Sequence, residues 1–221
     1  MLFDTHAHLN DEAFNADREA LLAGLQEKGI GLVMNAGCSL EASREVVQMA
    51  KQYPWLYAAV GSHPDSADEV NEEVLEEYRK LCKLNPEHIS AYILKIEENT
   101  AFFKMQDKLN LPDDDAIAEQ YLFVCQYLEN KSYEHYEISN FCKKEMISRH
   151  NLKYWLCKEY LGIGPAAHSC FLGKRFAHSR DIDAYLGGAS IIIDGEELSA
   201  SEKMNEYVML GMRLSEGVSF S

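Results

Sequence analysis

The strongest constraint in this sequence is a threefold alternation of short apolar runs with amphipathic segments over roughly the first 80 residues. Residues 2–5 form a strand-like run, and 13–28 follow with Phe14, Leu21, Leu22 and Leu25 at helical spacing, stopped by Gly29. Residues 31–36 read as a fully buried second strand. Ser39 can then cap a helix reaching about Gln52, before Pro54 ends it. Residues 56–60 are a third strand, and 71–84 a third helix with Val74, Leu75, Tyr78 and Leu81 on one face. Three βα units in series predict a parallel sheet or barrel, because each right-handed crossover returns the chain to the same sheet.

The rhythm changes after Cys82. Asn85-Pro86 marks a turn, 88–94 predicts a fourth strand, and 133–139 alternates like a fifth. Between them a helix reaches about Glu129, opening with Asp113, Asp114 and Asp115 at its positive end. The expected architecture is α/β. The strands near 88–95 and 133–139 extend the first three into a partial parallel (β/α) barrel, followed by an irregular α+β lobe and a C-terminal helix. That helix starts at a capping box, Ser199-Ala200-Ser201-Glu202, and Met204, Tyr207, Val208 and Leu214 supply its buried stripe. The predicted domains are 1–83 and 84–221.

A net charge of −15 argues against a surface that coats nucleic acid indiscriminately. Between Lys143 and Arg180, however, eight basic residues face two acids, a local charge of +6, interleaved with Tyr154, Trp155, Tyr160, Phe171 and Phe176. This is either a solvated, loop-rich surface or a pocket for a flat anionic ligand, whose carboxylates would meet the cations and whose ring would meet the aromatics. No run approaches the roughly 18–20 apolar residues of a membrane span, and the N-terminus has neither the basic nor the apolar region of a secretory leader. The six cysteines, at 38, 82, 125, 142, 157 and 170, lie at least 13 residues apart. They suit a reducing cytoplasm, and their spacing excludes a local CxxC zinc knuckle and a compact iron–sulfur loop.

Asp4-Thr5-His6-Ala7-His8 sits where the first strand ends. Residues two apart on a strand share a side, so His6 and His8 can offer two imidazoles to one metal ion; a pair of surface histidines satisfies the same pattern. The whole run from Met1 to Asn10, with Asn35-Ala36-Gly37 and Ala59-Val60-Gly61-Ser62-His63-Pro64, resembles the start of the TatD family of metal-dependent deoxyribonucleases over residues 1–81. The resemblance implies a divalent metal held by His6 and His8, with Asp4 and His63 lining the site and DNA as substrate. The family's later ligands, a glutamate, two histidines and an aspartate, do not follow.

From residue 84 onward the motifs change family. His88-Ile89-Ser90-Ala91-Tyr92, the run from Ile96 to Phe102, His135-Tyr136-Glu137-Ile138-Ser139-Asn140-Phe141, the run from Ser148 to Trp155, and the run from Tyr160 to Ser169 are similar to the HemW family of radical-SAM heme chaperones. In that family an HNxxYW element is associated with heme. The resemblance implies heme binding, with His150 as iron ligand and Asn151, Tyr154 and Trp155 around it. Residue by residue, a histidine beside two aromatics within the +6 segment can ligate iron and stack a macrocycle; equally, Tyr154 and Trp155 can be core aromatics. The CxxxCxxC loop of a radical-SAM [4Fe–4S] cluster has no counterpart, so neither that cluster nor S-adenosylmethionine cleavage is expected. Three functions follow: a HemW-like heme-binding fragment without radical chemistry, a TatD-type phosphodiester hydrolase, or a recombined chain with neither activity. Gly162-Ile163-Gly164-Pro165 is read as a tight strand-to-turn transition.

Overall fold

The computed structural model describes residues 1–64, 66, 70–82, 85–109, 111–188 and 192–219. The chain divides into two units, Met1–Pro86 and Glu87–Ser221. The junction near residues 81–84 contains 83 and 84, which lie outside the described residues, as do the side chains of Tyr78 and Leu81 in the predicted third stripe.

The first unit realises the three βα repeats: β1 (Leu2–Ala7), α1 (Arg18–Leu25), β2 (Ile30–Ala36), α2 (Leu40–Gln52), β3 (Leu56–Ala59) and α3 (Glu72–Cys82). The strands form one parallel sheet in the order β1-β2-β3, with Val33 beside Leu56. Ser39 accepts a hydrogen bond from the Ala42 amide, and Asn71 one from Val74, so α2 and α3 start where short polar side chains satisfy the first free N–H groups. The expected helix at 13–28 is shorter. A 3-10 turn at Glu12–Phe14 closes first, and α1 begins only at Arg18, because Asn15 and Asp17 favour caps and turns over a helix interior. Leu9, Leu22, Val33 and Leu56 form the core, each worth about 1.5–3 kcal/mol of burial. Phe3 and Tyr57, on the other face of the sheet, are half exposed. Gly37 leads into α2 so closely that a Cβ would meet the Ser43 backbone nitrogen at 2.6 Å.

The second unit contains β4 (His88–Ser90), α4 (Ala101–Met105), α5 (Asp114–Glu129), β5 (Glu134–Glu137), β6 (Asn140–Cys142), α6 (Arg149–Trp155), β7 (His168–Phe171), β8 (Lys174–His178), α7 (Ile182–Leu186), β9 (Ile192–Glu197) and α8 (Ala200–Gly211). Here the single parallel sheet expected from sequence is corrected. β4 and β5 flank β6 in a separate antiparallel sheet of order β4-β6-β5. The predicted strand at 133–139 reverses at Ile138-Ser139, where the Glu137 carboxylate accepts the Ser139 N–H at 2.9 Å; the chain returns as β6 and takes the place a parallel neighbour would need. The core there is Leu128, Tyr133 and Phe141.

The lobe beyond residue 140 is more regular than expected, because β7, β8 and β9 form an antiparallel sheet. Leu172 and Gly173, both at positive φ, make the two-residue turn between β7 and β8. The capping box of α8 is present, with Ser199 and Glu202 exchanging hydrogen bonds. Its predicted apolar stripe is covered only in part: Val208 and Leu214 are half-buried but Met204 and Tyr207 are exposed, since α8 packs on α6 and carries Glu206 against Arg175.

Candidate functional site

In the first unit, the end of β1 brings His6 and His8 together with their Nε2 atoms 3.0 Å apart. His8 Nδ1 lies 2.8 Å from the Ala36 carbonyl. A carbonyl can only accept, so Nδ1 carries the proton and Nε2 presents its lone pair, the tautomer a metal ligand needs. Two nitrogens each about 2.0–2.1 Å from one ion also lie about 3 Å apart at near-right angles, so the pair fits a divalent cation. Asp4 accepts the His6 backbone N–H at 3.1 Å, and the His63 backbone is tied to the Cys38 carbonyl in the loop after β3. Among the described residues no group of three or more His, Cys, Asp or Glu converges, so neither Asp4 nor His63 joins the two imidazoles as a third ligand.

The support behind this pair was missed from sequence. Fully buried Asn35 accepts the Leu9 N–H at 2.7 Å, and Arg18 donates to the carbonyls of Leu9, Asn10 and Asp11. Together they fix the chain leaving His8. Asn35 stands inside a motif already noted, whereas nothing local marks Arg18.

In the second unit, α6 carries all four residues of the HNxxYW element. Ser148 caps it through the Asn151 amide. His150 is exposed, its Nε2 3.0 Å from the Tyr154 hydroxyl, and Tyr154 packs edge-on against Tyr160 at 4.7 Å. Partial desolvation of its ring, aided by Lys153, shifts His150 below the ordinary histidine range. The buried Tyr136 hydroxyl lies 2.8 Å from His88 Nε2. Burial and the neighbouring Glu137 push that phenol up to about 12, and burial pushes His88 down. Trp155 lies under Arg213, whose guanidinium carbon is 4.3 Å from the ring centroid. The indole N–H is buried and has no acceptor among the described residues. Arg213 in turn reaches the fully buried Glu137 at 3.4 Å.

The charge cluster is partly self-satisfied. Arg175 pairs with Glu206, and Lys143 sits 3.9 Å over the Tyr133 ring while donating to the Lys131 carbonyl. Next to Tyr154 there is a cavity of about 410 Å³ whose lining brings Tyr160, Lys158, Lys203 and Arg175 together with two acids, Glu159 and Glu206. The glycine-rich run makes its turn here too: the Gly162 N–H donates to Ser169 Oγ at 2.9 Å, and a Cβ would meet the His168 carbonyl. Among the described residues no helix is long and apolar enough to cross a membrane.

Residues 3–91 match the model of the TatD related DNase family. The heme chaperone HemW of Lactococcus lactis is 34% identical over 151 residues, 66% of this chain and 40% of that protein. HemW of Bacillus subtilis is 35% identical over 145 residues, 62% of this chain and 38% of that one. A radical S-adenosyl methionine domain-containing protein 1 of Danio rerio is 30% identical over 158 residues, 65% and 35%. The chain thus spans about 40% or less of the length of these relatives. Among solved structures, the radical-SAM coproporphyrinogen III oxidase HemN of Escherichia coli matches 95% of this chain and 55% of its own, with a TM-score of 0.59 at 11% identity, a likeness of fold. Two families therefore meet in one chain, TatD-like in its N-terminal region and HemW-like over about two thirds of its length.

Proposed function

We propose that the C-terminal unit is a heme-binding module of the HemW kind, taking heme as cargo with His150 as iron ligand, and that the chain performs no radical-SAM chemistry. The observation that carries this reading is the placement of His150. It is exposed and paired with Tyr154 on a short helix within the +6 segment. The Tyr154 hydroxyl has to release Nε2 for that nitrogen to ligate. The cations and tyrosines around the neighbouring cavity suit propionates and a ring edge. The HemW relatives, named as heme chaperones, support the assignment. The barrel reading is kept for the three βα units alone, as a fragment of a (β/α) barrel, and the free thiols suit a cytoplasmic setting.

Titration of the full chain with hemin tests it. A shifted Soret band is expected, lost or displaced in His150→Ala. His168→Ala and His178→Ala, run beside it, should titrate like the parent. If His168→Ala alone abolishes the shift, the ligand is misassigned, and if no variant matters the binding is nonspecific.

The geometry of His6 and His8 favours a second reading, a metal-dependent phosphodiester hydrolase. The pair can hold one divalent ion, which would polarise a phosphoryl oxygen. A two-metal site also needs bridging ligands that set the ions roughly 3.5–4 Å apart. Weak metal binding and little cleavage are therefore expected. Manganese- or magnesium-dependent cutting of single-stranded DNA that His6→Ala abolishes would establish the hydrolase.

A further inference from the structure

The HNxxYW element does not present its four residues to one place. Along an α-helix, residues four apart share a face and neighbours lie about 100° apart. His150 and Tyr154 therefore form one face of α6, and Asn151 and Trp155 the next. The first pair is joined by its own hydrogen bond and touches Tyr160. Of the second pair, Trp155 is spoken for: it lies under Arg213, which reaches Glu137. Tyr136 and Glu137 are consecutive residues of β5, at a point where the pairing with β6 slips by one residue. Such a bulge re-aims side chains, and here Glu137 meets the Arg213 that packs on Trp155 of α6. The C-terminal turn closes the frame: the Ile138 N–H donates to the Arg213 carbonyl and the Ser215 N–H to that of Tyr136.

We infer that the motif divides its labour: His150 and Tyr154 are the heme-contacting pair, whereas Trp155 is a positioning residue that seats α6 on the Arg213–Glu137 pair. This rests on the heme reading above. It assigns Glu137 and Arg213, 76 residues apart, to the support of the ligand histidine. Trp155 lies against a cation and does not stack on porphyrin.

Hemin titrations at a temperature where circular dichroism shows every variant folded decide the matter. Trp155→Ala and Arg213→Met should each weaken binding about ten- to hundredfold, as loss of outer support does at metal sites, while leaving the Soret maximum of the saturated complex where the parent has it. The double variant should bind no more weakly than the worse single, and Trp155→Phe should recover most of the affinity. His150→Ala should move the maximum. A displaced maximum in Trp155→Ala together with parental affinity in Arg213→Met would overturn the division. If Trp155→Ala does not fold, Trp155→Phe and Arg213→Lys carry the same comparison. If His150→Ala titrates like the parent, the heme reading falls, and the seat is judged on the unliganded chain. There, non-additive changes in Tm for Trp155 and Arg213 variants support it, and additive ones reject it.

Discussion

The two units place their candidate ligands by opposite means. In the first, an apolar core of Leu9, Leu22, Val33 and Leu56 lies under a parallel sheet, and the histidines stand at the end of β1, oriented by the Ala36 carbonyl and by Asn35 and Arg18 behind them. In the second, a smaller core of Leu128, Tyr133 and Phe141 adjoins a buried polar cluster of Glu137, Asn140 and Ser139. There the helix with the candidate ligand has only seven residues, too few to hold itself in water, and its Trp155 rests on the Arg213 that reaches Glu137 of that cluster. A strand end inherits its geometry from backbone pairing. A short helix has to be pinned by side chains, and a fully buried carboxylate is a costly but directional pin.

The largest expected effects come from the two cores. Phe141→Ala should cost about 3–5 kcal/mol and Leu22→Ala about 2–5 kcal/mol. Residue-resolved hydrogen exchange should show each loss confined to its own unit; loss of protection in both units from either substitution would break the comparison.

Next comes Glu137→Gln, which keeps the shape and removes the charge. Asn140 and the Ser139 N–H lose a charged acceptor and Arg213 its partner, for about 1.5–3 kcal/mol. Denaturant unfolding with an unchanged m-value would confirm a stability effect, and a parental midpoint would show that Glu137 is no pin.

A smaller effect is expected from pH. Burial lowers His88 in the folded chain, with Glu137 opposing it, so the unfolded chain binds the proton more readily. The contribution is complete above the ordinary histidine value of about 6.5 and is lost as pH falls through the lower folded value. Tyr136 runs the other way: raised to about 12, it contributes fully below about 10, and that contribution is lost as pH rises toward 12. Unfolding midpoints of the parent against His88→Gln and Tyr136→Phe should flatten the acid and alkaline limbs respectively. Unaltered limbs would refute the assignment.

The smallest expected effect is none. Anaerobic reconstitution with iron and sulfide should load no four-iron cluster, because no two cysteines lie closer than 13 residues. Four irons with matching sulfide per chain would overturn this.

Much of the local structure was legible. The starts of α2 and α8 follow from Ser39, Ser199 and Glu202, whose partners lie three residues away. The His6-x-His8 spacing likewise foretold two imidazoles on one side, and their contact bears that out. The fate of 88–94 was not legible. Its hydrogen-bond partner is β6, and the reversal that creates β6 turns on the Glu137 carboxylate closing onto Ser139. Read along the chain, 133–139 alternates too regularly to betray the bend. The stripe of α8 misled for a related reason: its neighbours are α6 and Arg175, which helical spacing alone does not reveal.

By itself, then, the sequence determined the βα rhythm, the starts of α2 and α8, the meeting of two families, and the four residues of the HNxxYW element. All of these are set by side chains within about one helical turn of one another or by motifs read in order. Only the tertiary structure decided that the strands split into separate sheets and that Trp155 of α6 lies under Arg213 while His150 and Tyr154 face away with their own hydrogen bond. Those choices rest on Arg213 meeting Glu137 across 76 residues and on β6 lying between β4 and β5. Long-range contacts of this kind depend on how the whole chain closes, and no local periodicity encodes them.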